Sequence, residues 1–333
     1  MPFVRKLGEG ECGRMSDYLI ETRNLKKYFS TPRGLLYAVD GINLGLQKGR
    51  TLGVVGESGC GKSTLGRVVL RLLEATSGEV LYKGENILTY SESQMDKLRL
   101  KMQIIFQDPY ASLNPRLTVS EIIAEPIKVC KTITDKTKLD AKVSELMETV
   151  SLADRFMNSY PHELDGGRRQ RIGIARALAL DPEFIVCDEP VSALDVSIQA
   201  QILNLLMDLQ QERGLTYMFV THNLSVVKHI SHDIMVMYLG QCVERCSSDE
   251  LFENPMHPYT QGLLAAIPVP NLQMARKSKH VVLKGEVTSP INPKKGCRFA
   301  SRCNFVKSEC MGEDIPLREL SPGHFVACVR CGA

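Results

Sequence analysis

Eight residues constrain this chain more than any others: Gly56-Glu57-Ser58-Gly59-Cys60-Gly61-Lys62-Ser63, the pattern G-x-x-x-x-G-K-[ST]. The pattern follows a short apolar run, Thr51-Leu52-Gly53-Val54-Val55. It precedes a stretch in which Leu65, Val68, Val69 and Leu72 recur at helical spacing. A strand, a glycine turn and a helix in that order aim backbone N–H groups and a helix N-terminus at one point, which suits a phosphate. Gly56, Gly59 and Gly61 let the backbone wrap an anion closely, and Lys62 reaches the β- and γ-phosphates of a nucleotide. Ser63 offers a hydroxyl to Mg²⁺. Ser58, Cys60 and Thr64 belong to the same candidate nucleotide contact, Cys60 as a small residue at a variable position.

A second signal is Phe184-Ile185-Val186-Cys187-Asp188-Glu189. An apolar strand ending in two carboxylates is a poor structural choice, because charges there need partners. Asp188 suits a role in holding Mg²⁺ through its water shell, and Glu189 in orienting or deprotonating an attacking water. The two motifs together specify a nucleoside triphosphatase. No guanine-reading NKxD sequence occurs, so ATP is the default nucleotide.

The 333 residues suggest one large domain plus an extension. Net charge is +3 with the basic residues scattered, so no strong field toward nucleic acid or membrane is implied. Arg168, Arg169, Arg171 and Arg176 form a basic stretch read as solvated or ion-paired surface. No apolar run approaches the ~18–20 residues that span a bilayer. The first residues lack the apolar core of a signal peptide. The chain is expected in the cytoplasm, at the inner face of the cell membrane, attached through a partner. Met15 offers a second candidate start, and residues 1–16 read as a tail.

Residues 17–55 alternate apolar and polar positions, with turn signals at 32–34 and 48–49, and read as β-rich. Residues 91–160 read as mainly helical, with Val143, Leu146, Met147 and Val150 on one face. Segments 166–180 and 196–211 read as helices. Segments 184–187, 217–220 and 233–238 read as buried strands. This alternation predicts a mostly parallel sheet wrapped by helices, an α/β fold. Past residue 254 prolines become dense and the periodicity fades, so residues 17–254 are expected to form the nucleotide-binding domain and 255–333 a C-terminal extension.

From residue 163 the chain reads ELDGGRRQRIGIARALALDPEFIVCDEPVSALDVSIQAQIL. This resembles the signature region of ABC ATPases, there read LSGGQ-x-QR. Gln107, in IFQDPYASLNPR, resembles the Q-loop glutamine, and on that resemblance joins Ser63 and Asp188 around Mg²⁺. Ser192-Ala193-Leu194-Asp195 resembles the D-loop, and His222, in FVTHNLSVV, the switch histidine. Phe29 (or Tyr28) is similar to the aromatic that stacks on adenine. The resemblance implies a P-loop fold with a RecA-like core, an antiparallel β subdomain and a helical subdomain. QDPYASLNPR, PMHPYTQGLLAAIP and GCRFASRCNFVKSEC…GHFVAC are similar to segments of dipeptide/oligopeptide-permease ATPases. That narrower resemblance implies an ABC importer for di- or oligopeptides. Its expected partners are a second ATPase subunit in a heterodimer, two membrane permease subunits and an extracellular solute-binding protein. Nickel-chelate, glutathione or other small solutes are alternative cargoes. A translation or repair ATPase fits less well: those usually carry two cassettes in one chain or insert long coiled coils. A degenerate ATP-binding scaffold has only Asp165 in its favour.

In this family two cassettes pair head to tail, each ATP lying between one chain's phosphate loop and the other's signature, here Asp165, Gly166 and Gly167. Asp165 stands where the family has serine, and Arg168 where it has glutamine. Both Ser and Asp cap helices well. Toward a γ-phosphate, however, a carboxylate costs about 4 kcal/mol at ~4 Å and an effective dielectric of ~20. The site built on Asp165 is therefore expected to be weak, and the site built on Lys62, Asp188, Glu189 and His222 to hydrolyse ATP; the alternative is that Asp165 rotates away and both sites work.

Five of the eleven cysteines fall in the last 37 residues. Cys297, Cys303, Cys310 and Cys328 form a four-thiolate set, with Cys331 and His324 nearby. The family extension is associated in some members with an iron–sulfur cluster. Four thiolates suit [4Fe–4S] and also suit tetrahedral Zn²⁺, and free thiols remain a third reading. Cys60 and Cys187 read as structural, and Cys12, Cys130, Cys242 and Cys246 as free thiols.

Overall fold

Alternating apolar residues carry the chain into two long antiparallel strands, β1 (Tyr18–Thr31) and β2 (Gly34–Gln47), in a computed structural model that describes residues 18–267 and 289–331. The expected tail at 1–16, with Cys12 and Met15, lies outside the described residues. Ile20, Leu25, Val39, Ile42 and Leu46 form the buried side of this pair. After β3 (Thr51–Val55) and α1 (Lys62–Val69), the strands β4 (Ser77–Tyr82) and β5 (Glu85–Asn86) join β1. They complete a four-stranded sheet in the order β2-β1-β4-β5.

Next come α2 (Glu92–Arg99), β6 (Met102–Ile105), α3 (Val119–Val129) and α4 (Lys136–Thr149). Ser91 with Gln94, and Thr118 with Glu121, form reciprocal caps that start α2 and α3. The chain continues through α5 (Gly166–Leu178), β7 (Phe184–Asp188), α6 (Val196–Arg213), β8 (Thr216–Thr221) and α7 (Leu224–Ile230). Then follow β9 (Asp233–Tyr238), β10 (Gln241–Ser247), α8 (Ser248–Glu253) and α9 (Pro258–Ala265). The last elements are β11 (Arg318–Ser321) and β12 (His324–Val326).

The larger sheet runs β11-β12-β10-β9-β3-β8-β7-β6. Its strands β9, β3, β8, β7 and β6 pair in parallel, and the three beyond β9 are antiparallel. Strand alternation feeds two cores. Phe184, Val186, Met218 and Val220 face the core shared with α1 and the smaller sheet. Ile185, Cys187, Tyr217 and Phe219 face the core shared with α3–α6.

Within the stretch expected to be mainly helical, Met102–Ile105 is instead a strand, paired in parallel with β7 from Met102↔Phe184 to Ile105↔Cys187. Its four residues are too few to show a period, and its partner lies 82 positions on. The basic stretch is also less exposed than the sequence implied. Arg169 donates to Pro161 O at 2.7 Å, Arg171 to Val150 O at 2.6 Å and Arg176 to Ser112 O at 2.6 Å. These three arginines hold loop carbonyls.

The C-terminal residues fold back onto the sheet. β12 pairs with β10, and Ala327 N–H donates to Val243 O at 2.9 Å. Glu244 of β10 is fully buried. Its carboxylate accepts from Met256 N–H (2.7 Å) and His257 N–H (2.9 Å) and lies 2.8 Å from His324 Nε2.

Candidate nucleotide site

Four parallel strands end at one cleft of about 660 Å³, at the carboxyl ends where open α/β sheets bind ligands. The phosphate loop follows β3, Gln107 follows β6, Asp188 ends β7 and His222 follows β8. Gly56 and Gly61 sit at φ 154° and 105°, and a Cβ on either would lie 2.2 Å from Met237 O or 1.9 Å from Ala38 O. Only glycine fits there. Lys62 is buried at the start of α1, and its Nζ donates to the carbonyls of Gly56 (2.8 Å) and Glu57 (2.9 Å).

Ser63 Oγ donates to Asp188 Oδ1 at 2.6 Å. Burial raises the Asp188 carboxyl above the ordinary range, against the pull of Ser63 and of Arg67, whose Nη2 lies 3.8 Å away. Glu189 stands one residue past the strand in the left-handed region, φ 47°. Such a conformation costs a non-glycine residue about 1–3 kcal/mol and gathers at functional sites. Its Oε2 is 3.1 Å from both Gln107 Nε2 and His222 Nδ1. One carboxylate oxygen is thus aimed by two side chains from neighbouring strand ends.

The other end of the cleft is apolar: Phe29, Leu36 and Ala38 line it. Of the two candidate aromatics, Phe29 is the one on the wall. Tyr28 turns away, donating to Asp40 Oδ1 at 2.5 Å with its ring 4.2 Å from that of Tyr37. Gly59, Gly61, Ser58, Ser63 and Thr64 line the cleft as well. The Cys60 side chain is buried beneath the loop, against Gly56. Sequence reasoning missed five lining residues, Leu36, Ala38, Glu57, Leu263 and Pro290. Pro290 is brought there by Tyr37 N–H donating to its carbonyl at 3.1 Å, a contact without local sequence signal.

Asp165, Gly166 and Gly167 are elsewhere, at the N-terminus of α5. Asp165 and Gly167 line a separate cleft with Phe156 and Arg171. Asp165 Oδ1 accepts from Arg168 N–H at 2.8 Å, and its Oδ2 pairs with Arg168 Nη1 at 2.5 Å. That guanidinium lies over Phe156, 4.8 Å from the ring centre. One chain therefore does not bring its signature residues to its own Lys62.

Cys297, Cys303, Cys310 and Cys328 line one small cavity with Phe299 and Phe305. Phe305 N–H donates to Cys303 Sγ (3.4 Å) and Lys307 N–H to Cys310 Sγ (3.5 Å). Burial pushes the Cys297 thiol up to about 11, and neighbouring thiols add to the effect. His257 also lines this cavity, which the sequence did not suggest. Cys331 donates to Met256 O at 3.4 Å and His324 faces Glu244. Among the described residues, no three His, Cys, Asp or Glu side chains converge to hold a metal ion. The four-thiolate set is gathered but not drawn to one point. No described helix is long and apolar enough to cross a membrane.

Comparison with known proteins agrees with this geometry. The "ABC transporter" family model matches residues 39–192 and the "Oligopeptide/dipeptide transporter, C-terminal region" model matches 243–310. The oligopeptide transport ATP-binding protein AppF of Bacillus subtilis is 51% identical over 318 residues, covering 93% of this chain and 96% of its own. The oligopeptide transport ATP-binding protein OppF of Salmonella typhimurium is 49% identical over 305 residues, covering 92% and 91%. Among solved structures, the dimeric ATP-binding cassette MJ0796 in a post-hydrolysis state bound to ADP and Pi is 29% identical. It superposes with a TM-score of 0.64 over 69% of this chain and 98% of its own. The chain belongs to the ABC transporter family, as an ATP-binding cassette that carries the C-terminal region of oligopeptide/dipeptide transporters.

Proposed function

We propose that this chain is the ATP-hydrolysing subunit of an importer that takes up di- or oligopeptides, working at the cytoplasmic face of the membrane. The observation that carries this reading is the convergence of Lys62, Ser63, Glu189, Gln107 and His222 on one cleft, with Asp188 buried directly behind Ser63. The naming of relatives that share about half its residues supports the peptide cargo. Residues 17–254 act as the nucleotide-binding domain and 255–333 as the extension.

In the proposed cycle, adenine rests against Phe29 and the triphosphate runs along the loop. Lys62 trades its loop carbonyls for β- and γ-phosphate oxygens, and the backbone N–H groups of the loop complete the cage. Ser63 and Asp188 supply hard oxygen donors of the kind Mg²⁺ selects, with Gln107 beside them. When bound, the ion neutralises charge on the phosphate oxygens. Glu189, aimed by Gln107 and His222, orients a water toward the γ-phosphorus and takes its proton as the bond to ADP breaks. The N-terminus of α5 from a second subunit closes on the same phosphate. ATP thus holds two cassettes together, and hydrolysis releases them to move the permease subunits.

Asp165 supports a heterodimer with unequal sites. Both of its oxygens are engaged within α5, and neither can donate to a phosphate unless protonated. The productive site then pairs this chain's Lys62 and Glu189 with a signature from a different subunit. The test is Glu189→Gln in the assembled importer. ATP turnover and uptake are expected to fall at least about a hundredfold with MgATP binding intact, and the corresponding change in the partner is expected to do less. Undiminished turnover would end the hydrolytic reading, and equal losses would end the asymmetry.

The cysteine set is read as ligands for a [4Fe–4S] cluster. Its soft donors, apolar surroundings and N–H groups directed at sulfur support this. A cubane spaces its thiolates more widely than a single ion does, so the lack of a converged set counts more against Zn²⁺ than against a cluster. Anaerobically purified protein is expected to be brown and to release iron and sulfide on acidification. Colourless protein holding stoichiometric zinc would reverse the assignment.

A further inference from the structure

Glu57 brings a carboxylate into the loop that lines a cleft which must receive a triphosphate. Left alone, that charge opposes binding. The fold answers it from 245 residues away. Arg302 Nη1 donates to Glu57 Oε2 at 2.7 Å and Nη2 to Oε1 at 3.0 Å, a bidentate pair. Arg302 is only 7% exposed. Its guanidinium lies 5.9 Å from the ring centres of both Tyr238 and Phe299. The rest of Glu57 is held too. Its N–H donates to the hydroxyl of buried Tyr259 at 2.9 Å, and its carbonyl accepts from Lys62 Nζ and from Cys60 N–H.

We infer that Arg302 is a positioning residue of the nucleotide site: it neutralises Glu57, so that the loop N–H groups meet the incoming anion without an opposing carboxylate charge. This rests on the reading of the Lys62 cleft as the ATP site. The segment after residue 288 thereby supports the nucleotide site, since among the described residues Glu57 forms no other salt bridge.

Titrating MgATP into the full-length chain by calorimetry tests this, with Lys62→Ala as the control. Arg302→Gln is expected to weaken binding roughly ten- to a hundredfold, the range that loss of a supporting partner behind a direct ligand brings. The double variant Glu57→Gln/Arg302→Gln, which leaves no unpaired carboxylate, is expected to return close to wild type. A purely architectural arginine would give no such rescue. Wild-type affinity in Arg302→Gln, or a double variant as weak as the single, would overturn the proposal. If Arg302→Gln does not fold, Arg302→Lys and the double variant carry the test. Both are expected to bind MgATP near wild type, and a loss as large as that of Lys62→Ala in either overturns it. Normal binding by Lys62→Ala would instead remove the ATP-site reading itself, so the two failures are distinct.

Discussion

Asp188 is a residue the fold holds at a cost. Desolvation raises its carboxyl pKa, so the folded chain binds a proton here more readily than the unfolded chain. The contribution to stability is therefore full below the ordinary carboxylate value and is lost as pH rises through the raised one. At neutral pH the residue is a liability unless a cation arrives. Asp188→Asn is expected to stabilise the nucleotide-free chain by about 1 kcal/mol, the scale of gains from relieving functional strain. The wild type is expected to gain thermal stability on adding MgATP, while the variant gains little, because ligand stabilisation follows affinity. Melting curves with and without MgATP check both halves. Glu189 belongs to the same economy of strain, with its left-handed backbone and an oxygen fixed by Gln107 and His222. The carboxylate pair was legible in the sequence because charges at the end of an apolar strand stand out. The left-handed turn at Glu189 was not, since no glycine or asparagine marks it.

At the scale of elements, the segment around Lys62 declared itself because its chemistry is local: strand, turn and helix lie within about twenty residues. Its glycines are demanded by carbonyls of Ala38 and Met237. β6 and the β11–β12 hairpin did not, being three or four residues long, with β6 held on β7 and β12 on β10 by partners far along the chain. The helix α5 is legible at its start, where Asp165 caps it. Its cap separates two roles that one residue performs. Asp165→Ala is expected to cost about 1 kcal/mol of stability through loss of the cap. Asp165→Ser keeps the cap and restores a hydroxyl donor to the outward face. In the assembled importer it is expected to raise ATP-driven closure and turnover. Sedimentation with an Glu189→Gln background would show the closure, and steady-state phosphate release the turnover. Unchanged behaviour would mean Asp165 turns aside when nucleotide binds.

For the whole molecule, the separation is between what the sequence shows and where it acts. The two arginines of CRFASRC lie four residues apart, yet Arg298 reaches Asp40 beside the base end of the cleft and Arg302 reaches Glu57 at the phosphate end. Neither pairing leaves a trace in local periodicity. The motifs told which chemistry the chain performs; they could not tell that the tail helps perform it.

Glu244 makes that dependence hard to undo. A chain ending at residue 254 would lose Met256, His257 and His324, the partners of its fully buried carboxylate, together with the strand β12 that covers it. The shortened chain is expected to unfold at lower denaturant by circular dichroism, because it loses the β12 pairing and the cover over β10. Cassette and tail thus share one sheet: its outer edge is finished by strands that the chain supplies only after residue 317.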